Sequence, residues 1–79
     1  MKPKFKIRDN VRILCNNIEP KYVGRIGRIS KVYSAYTALG EYCHVYRVNV
    51  GGRLLKGVAN DDDLEPVELD GNGKEKQHK

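Results

Sequence analysis

The sequence has few of the residues on which metal sites, disulfides and membrane spans depend. Its 79 residues include no tryptophan, one phenylalanine, two cysteines and three alanines. Cys15 and Cys43 are too few for a structural zinc, which takes four ligands, or for a disulfide framework. No apolar run approaches the roughly 20 residues of a membrane helix, and the amino terminus lacks the apolar stretch of a signal peptide. We therefore expect reduced cysteines, a cytoplasmic protein, no metal or other cofactor, and no membrane partner.

The short chain also argues against catalysis. A domain of this size buries only about 60% of the surface that its unfolded form exposes, so it has room for one small core and no second lobe. The sequence has no glycine-rich loop between a strand and a helix. Cys43 and His44 are adjacent on a predicted strand, where neighbouring side chains point to opposite faces, so they do not form a nucleophile–base pair. We expect a protein that is not an enzyme.

The charges are unevenly distributed along the chain. Fifteen basic and ten acidic residues give a formal net charge of +5. Residues 1–40 carry nine basic and two acidic side chains, residues 41–70 carry three basic and seven acidic ones, and residues 71–79 carry three basic and one acidic. This segregation favours a basic face that meets nucleic acid or an acidic protein. The alternative is that strands from the two halves lie side by side, so that their opposite charges pair.

Glycine, β-branched residues and tyrosine are abundant, and no segment has apolar residues at helical spacing over three turns, which predicts an all-β fold. Five short strands are predicted, at residues 5–13, 23–33, 42–50, 53–59 and 64–69. The first has a kink at residues 9–10, and Gly24 and Gly27 interrupt the second. Gly51 and Gly52 predict a tight hairpin turn, and the run Asn-Asp-Asp-Asp at residues 60–63 predicts one 3-10 helical turn.

These elements describe a five-stranded SH3-like barrel over residues 1–70, with the Gly-Gly hairpin and the 3-10 turn before the last strand. Barrel closure suits so small a β-core because it limits exposed strand edges. Pro66 confines the last strand to an edge position. Residues 71–79 contain no apolar side chain and predict a disordered polar tail.

Residues 23–32, Val-Gly-Arg-Ile-Gly-Arg-Ile-Ser-Lys-Val, resemble the KOW motif, in which a basic segment with glycines three apart is followed by alternating aliphatic residues. With the preceding strand included, the resemblance covers residues 9–32. KOW domains are SH3-like barrels of ribosomal and transcription-associated proteins, whose basic loops contact RNA. The resemblance thus implies a barrel that binds RNA.

A longer resemblance, over residues 5–69, is to the SH3-like accessory protein family of photosystem I and to the variable chain of ferredoxin–thioredoxin reductase. It rests on residues 11–14, 23–24, 45–48 and 63–68, which carry the pattern of a small barrel core. Those proteins are non-catalytic accessory chains whose basic surfaces dock other proteins, so the resemblance implies a protein partner. Type II dihydrofolate reductases are also small SH3-like barrels, but their Val-Gln-Ile-Tyr signature is absent here, where residues 54–57 read Leu-Leu-Lys-Gly.

The sequence therefore predicts a small binding module that contacts RNA or DNA without sequence preference. The residues expected to hold phosphates are basic side chains of the first two strands: Arg12, Arg25, Arg28 and Lys31. Tyr33 and Tyr36 flank the next loop and are expected to stack on unpaired bases. For the arginines the alternative is a solvated face, and for the tyrosines it is packing over a barrel end. Two other functions stay open: docking of an acidic protein on the same face, and a homo-oligomeric structural role.

Overall fold

The computed structural model describes residues 2–69, which form six antiparallel strands and two 3-10 turns. The strands are β1 (Asn10–Ile13), β2 (Ile26–Tyr36), β3 (Tyr42–Val50), β4 (Arg53–Leu54), β5 (Ala59–Asn60) and β6 (Leu64–Pro66). The 3-10 turns span Pro20–Tyr22 and Asp61–Asp63. The all-β prediction is confirmed. The predicted tail, residues 71–79, lies outside the described residues.

The strands form one open sheet in the order β4-β3-β2-β1-β6, with β5 also paired to β3. The five-stranded SH3-like barrel is therefore not confirmed, since the described residues form six strands and the sheet does not close. The extra strand arises because the predicted strand 53–59 is broken: residues 55–58 leave the sheet around Gly57, whose φ is +72°. β6 is at one end of the strand order, so the edge position predicted from Pro66 is confirmed.

β3 contributes the centre of the core. Its side chains alternate between the two faces of the sheet, so every second one from His44 onward is buried. Tyr46, Val48 and Val50 point to one face and are buried, while the residues between them are partly exposed. The other buried members of this core come from β1, β2, β6 and the segments outside the strands: Phe5, Val11, Ile13, Ile29, Leu55 and Leu64. The predicted alternation of β3 is confirmed.

The hairpin between β3 and β4 and the 3-10 turn before β6 also form where they are predicted. Gly51 and Gly52 have φ values of +59° and +87°, the positive values that a two-residue type I′ turn requires. The N–H group of Gly52 donates to the Asn49 side-chain oxygen at 2.9 Å. In the 3-10 turn, the Asp63 carboxylate accepts a hydrogen bond from the Asn60 N–H at 3.1 Å, which caps the turn.

Gly24 and Gly27, which are predicted to interrupt one strand, have different roles in the structure. Gly24, with a φ of +88°, lies in the turn that precedes β2. Gly27 lies inside β2, where an added Cβ would be 2.8 Å from the Asn49 carbonyl oxygen, so glycine is required by the close approach of β3. The irregularity of β2 is instead a β-bulge, a shift of register between Ile29 and Lys31.

The segment before β1 is a turn and not the predicted start of the first strand. The Asp9 N–H donates to the Lys6 carbonyl oxygen at 3.1 Å, and Arg8, the third residue of this turn, has a φ of +79°. This is the position and the sign of φ at which a type II turn normally has glycine. Ahead of the turn, Phe5 is buried, with its ring in a T-shaped contact with Tyr46 at 5.3 Å.

Candidate nucleic-acid interface

The face of the sheet turned away from the core, here called the outer face, is defined by the strand register. Asn10 of β1, Arg28 of β2 and Asn49 of β3 lie side by side across the three strands. Val11, which follows Asn10, and Ile29, which follows Arg28, are both buried. Because side chains alternate along a strand, this row points away from the core. The same register places eight further residues on the outer face: Arg12, Ile26, Lys31, Tyr33, Ala35, Cys43, Val45 and Arg47.

A β-bulge at Ser30 determines which basic residues share this face. Arg28 pairs with Asn49 and Lys31 pairs with Arg47, so a three-residue step on β2 matches a two-residue step on β3. In a regular strand, residues three apart point to opposite faces. The extra residue at the bulge brings both basic side chains to the outer face, and both are exposed.

Arg28 and Lys31 have no acidic partner within residues 2–69. Most carboxylates of this range accept hydrogen bonds elsewhere in the fold, namely those of Asp9, Glu19, Asp61, Asp63 and Glu65. The two cations are therefore available for an external anion.

Arg12 also lies on the outer face, but its charge is paired. Its Nη1 atom is 2.8 Å from a carboxylate oxygen of Glu65 in β6, the strand beside β1. At this position the opposite charges of the two halves of the chain do meet, which reduces the positive charge at this edge of the outer face.

The structure places two of the predicted residues on the opposite face of the sheet. The carbonyl oxygen of Arg25 accepts a hydrogen bond from Ile13 at 3.0 Å, which extends the β1–β2 ladder to this residue. Arg25 is three residues before Arg28 with no bulge between them, so their side chains point in opposite directions. Tyr36 pairs with Tyr42 on the core side of the hairpin, and their rings meet edge-to-face at 5.4 Å.

Tyr33 is the predicted aromatic residue that the structure brings to the outer face. It lies opposite Val45, two residues beyond Lys31, and its side chain is 41% exposed. A ring in this position, next to unpaired cations, can stack on an unpaired base whose phosphate is held by the neighbouring basic side chain.

Arg47 is a member of the outer face that was not among the predicted site residues. It lies directly across from Lys31, is partly buried, and donates from Nη2 to the Leu55 carbonyl oxygen at 3.0 Å. Its Nε atom is buried and has no partner within the described residues. The strand alternation of residues 42–50, which separates Arg47 from the apolar Tyr46 and Val48, is the sequence signal that locates it.

An open concavity of about 610 Å³ occupies one end of the outer face. The row formed by Asn10, Arg28 and Asn49 lines it, together with Ser30 at the bulge, Arg8 from the turn before β1 and the Gly51–Gly52 turn. No acidic side chain within residues 2–69 is among its lining residues. The sequence pattern does not identify Arg8 as a site residue, because residues 5–13 predict a strand at this point and not a turn.

The described residues contain no group of three or more histidine, cysteine, aspartate or glutamate side chains that is able to hold a metal. Cys15 and Cys43 are free thiols. His44 is buried on the core side of β3, and Cys43 pairs with Ala35 on the other side.

Comparisons with protein-family models, with curated proteins and with solved structures find no match to this chain. The resemblances to the KOW motif and to the SH3-like accessory protein family of photosystem I therefore stay predictions. Within residues 2–69 there is no helix of the length and apolar character needed to cross a membrane.

Proposed function

We propose that this protein is a small non-enzymatic binding module that contacts nucleic acid through the outer face. The observation that carries the proposal is the bulge at Ser30, which brings Arg28 and Lys31 to one face where no acidic side chain of the described range pairs with them. Cations that are exposed and unpaired form sequence-independent contacts with phosphates and release counterions on binding. Arg47 adds positive charge beside Lys31.

We propose further that the fold is an SH3-like barrel in a broad sense. Two features support this assignment. β1 pairs with both β2 and the last strand, β6, and a 3-10 turn leads directly into β6. In this arrangement Arg28 and Lys31 are exposed on the outer face, which presents them to a large ligand without the need for a deep cleft.

The preferred ligand is a single strand with unpaired bases. Tyr33 lies on the same face as Lys31, two residues away, which corresponds to about 7 Å along a strand. An aromatic ring at this distance from a phosphate-binding cation suits one nucleotide whose base is unstacked, whereas the bases of a duplex are not available to it.

The test is a titration of labelled single-stranded RNA, single-stranded DNA and duplex DNA followed by fluorescence anisotropy. Arg28→Glu is compared with Arg25→Glu, which makes the same change of charge on the opposite face. We expect Arg28→Glu to weaken binding about tenfold or more, and Arg25→Glu to have a much smaller effect. Equal effects of the two variants, or no binding by the wild type at about 100 mM salt, would contradict the proposal.

A second candidate function is self-association through the tip of the β2–β3 hairpin. Leu39 in the hairpin loop is 86% exposed and Tyr36 at the end of β2 is 71% exposed, so both offer apolar surface to a second copy of the chain. Sedimentation equilibrium at micromolar to millimolar concentration tests this function, with Leu39→Ser as the variant. A dimer that Leu39→Ser dissociates would support it, and a wild-type monomer throughout would exclude it.

A further inference from the structure

We infer that the concavity at the end of the outer face is a binding site for a phosphate group. Its lining residues include two arginines, Arg8 and Arg28, and three residues with neutral polar side chains, and the others are glycine or apolar residues. The neutral polar residues are Asn10, Ser30 and Asn49. Arginine donors match the oxygens of a phosphate in a bidentate geometry, and amide and hydroxyl groups complete such sites. Since none of the described lining residues is acidic, nothing in this lining repels an anion.

The backbone of Arg8 supports a functional role for this side chain. Its φ of +79° lies in the left-handed region, which glycine adopts at no cost and a long side chain adopts only with strain. A residue held in such a conformation, where glycine would fit, is one mark of a functional position. The turn is fixed on both sides, because the Arg8 N–H donates to Ile29 O at 2.8 Å and the Ile29 N–H donates to Asp9 O at 2.9 Å. Strand β2 thus anchors Arg8 beside Arg28.

The hydrogen bonds of Asn49 determine what its amide presents to a ligand. Its side-chain oxygen accepts the Gly52 N–H at 2.9 Å. The amide nitrogen, which has two donor hydrogens, is therefore the part left for a ligand. Arg28 lies between Asn49 and Asn10 in the cross-strand row. The site thus offers hydrogen-bond donors from three strands and one turn, and such donors bind the oxygens of a phosphate group.

This inference deepens the proposed function and rests on it for the source of the phosphate, which is either the terminal phosphate of a strand or an internal phosphodiester. Both present anionic non-bridging oxygens to the two arginines, and the terminal phosphate carries the larger negative charge. The experiment separates these sources and is also informative when nucleic acid does not bind at all, because inorganic phosphate serves as an independent probe.

The key variant is Arg8→Gly in the full chain. Glycine adopts the φ of this position without strain, so we expect the variant to fold and to keep about the wild-type melting temperature. The control is Lys6→Gln, which removes one positive charge from the same turn without touching the lining of the concavity. The amide resonances of residues 8, 28, 51 and 52 are followed by NMR during titration with inorganic phosphate. The affinities for a single-stranded DNA decamer with a 5′-phosphate and for the same decamer with a 5′-hydroxyl are measured in parallel.

We expect phosphate to shift these resonances in the wild type and in Lys6→Gln but not in Arg8→Gly. A 5′-phosphate preference of about tenfold that Arg8→Gly abolishes would assign the site to strand ends. Equal binding of both decamers, weakened about tenfold by Arg8→Gly, would assign it to internal phosphodiesters. Phosphate shifts without any decamer binding would support the site and contradict the proposed function. Decamer binding and phosphate shifts that are both unchanged in Arg8→Gly, or an absence of both in the wild type, would overturn the site.

Discussion

Tyr33 and Tyr36 are both exposed tyrosines of β2, but their surroundings are different. Tyr33 lies on the outer face near Lys31, whereas Tyr36 lies on the core side against the ring of Tyr42. If Tyr33 stacks on a base, Tyr33→Ala weakens single-strand binding by about 1–3 kcal/mol and duplex binding by less. Tyr36→Ala is the matched control, and we expect it to leave both affinities within about twofold of the wild type. Anisotropy titrations measure all four values, and an equal loss in the two variants would argue against stacking on the outer face.

Tyr46 links three parts of the molecule through one hydroxyl group. Its ring is fully buried, its O–H donates to the Asp61 carboxylate at 2.6 Å, and its oxygen accepts the Phe5 N–H at 3.3 Å. Burial, and then the hydrogen bond to Asp61, raise the pKa of Tyr46 above its ordinary value. The folded state therefore favours the neutral, protonated form of the Tyr46 phenol.

We predict that Tyr46→Phe lowers the free energy of unfolding by about 1–3 kcal/mol, because it leaves the Phe5 N–H and the Asp61 carboxylate without this partner. Urea denaturation followed by circular dichroism measures the change. Tyr33→Phe, which removes a hydroxyl with no hydrogen bond within the described residues, is the control and should change stability by less than about 0.5 kcal/mol. Similar losses in both variants would show that the buried network contributes nothing specific.

The burial pattern of single residues was largely predictable, whereas their hydrogen-bond partners were not. Strand alternation in residues 42–50 identified Tyr46, Val48 and Val50 as core residues. The pairing of Tyr46 with Asp61 depends on how the 3-10 turn packs against β3, which no local pattern encodes. The same holds for Arg8, whose role depends on a left-handed conformation that sequence reasoning assigns to glycine or asparagine.

At the scale of elements, Glu19 joins the loop between β1 and β2 to the broken segment between β4 and β5. It is one of two polar residues that are buried in the described range. Its carboxylate accepts the Lys56 N–H at 2.7 Å and lies 3.4 Å from Nη2 of Arg53. Leu55 is buried and its N–H donates to the Val48 carbonyl oxygen at 2.9 Å, and the Glu19 contacts attach the next residue, Lys56, to the fold.

The hydrogen bond from the Lys56 backbone holds the pKa of Glu19 below its ordinary value, and the charge of Arg53 adds to this effect while burial opposes it. A carboxyl group whose pKa is depressed in the folded state stabilises the fold at pH values above its ordinary pKa. This stabilisation is lost as the pH falls through the folded-state pKa. We predict that Glu19→Gln lowers the melting temperature at neutral pH and loses less stability than the wild type on acidification below about pH 4.5. Glu41→Gln, at the exposed hairpin loop, is the control. If the melting temperatures of the wild type and of Glu19→Gln fall equally on acidification, the prediction is wrong.

The strands themselves were mostly predictable, but the bulge in β2 was not. The sequence locates a basic strand around Arg28 and Lys31, yet a regular strand would place them on opposite faces. Ser30 carries no signal of a bulge in the sequence, and the bulge becomes necessary only when Ile29 and Val32 must both contact the core formed by Val48 and Tyr46. The candidate site is therefore a consequence of core packing, which the local sequence does not reveal.

For the whole molecule, segregation of charge along the chain does not translate into one basic half. The order of the strands places β6 beside β1, so Glu65 meets Arg12, and the loop contact brings Glu19 to Arg53. The ion pair removes Arg12 from the unpaired charge, and Arg25 lies away from the outer face, so the positive charge of the outer face is smaller than the nine basic residues of the first forty suggest.

The salt dependence of binding distinguishes contacts made by a few outer-face cations from attraction by the net charge of the whole chain. If Arg8, Arg28 and Lys31 neutralise three phosphates, at about 0.7 counterion released for each, log affinity for single-stranded DNA falls against log salt concentration with a slope of about −2. If the full net charge of +5 acts instead, the slope approaches about −3.5. We predict the shallower slope for the wild type and a further reduction of roughly 0.7 in its magnitude for Arg28→Gln, with no such reduction for Arg25→Gln. A steep slope that both variants reduce equally would mean that the molecule binds through its overall charge and that the outer face has no special role.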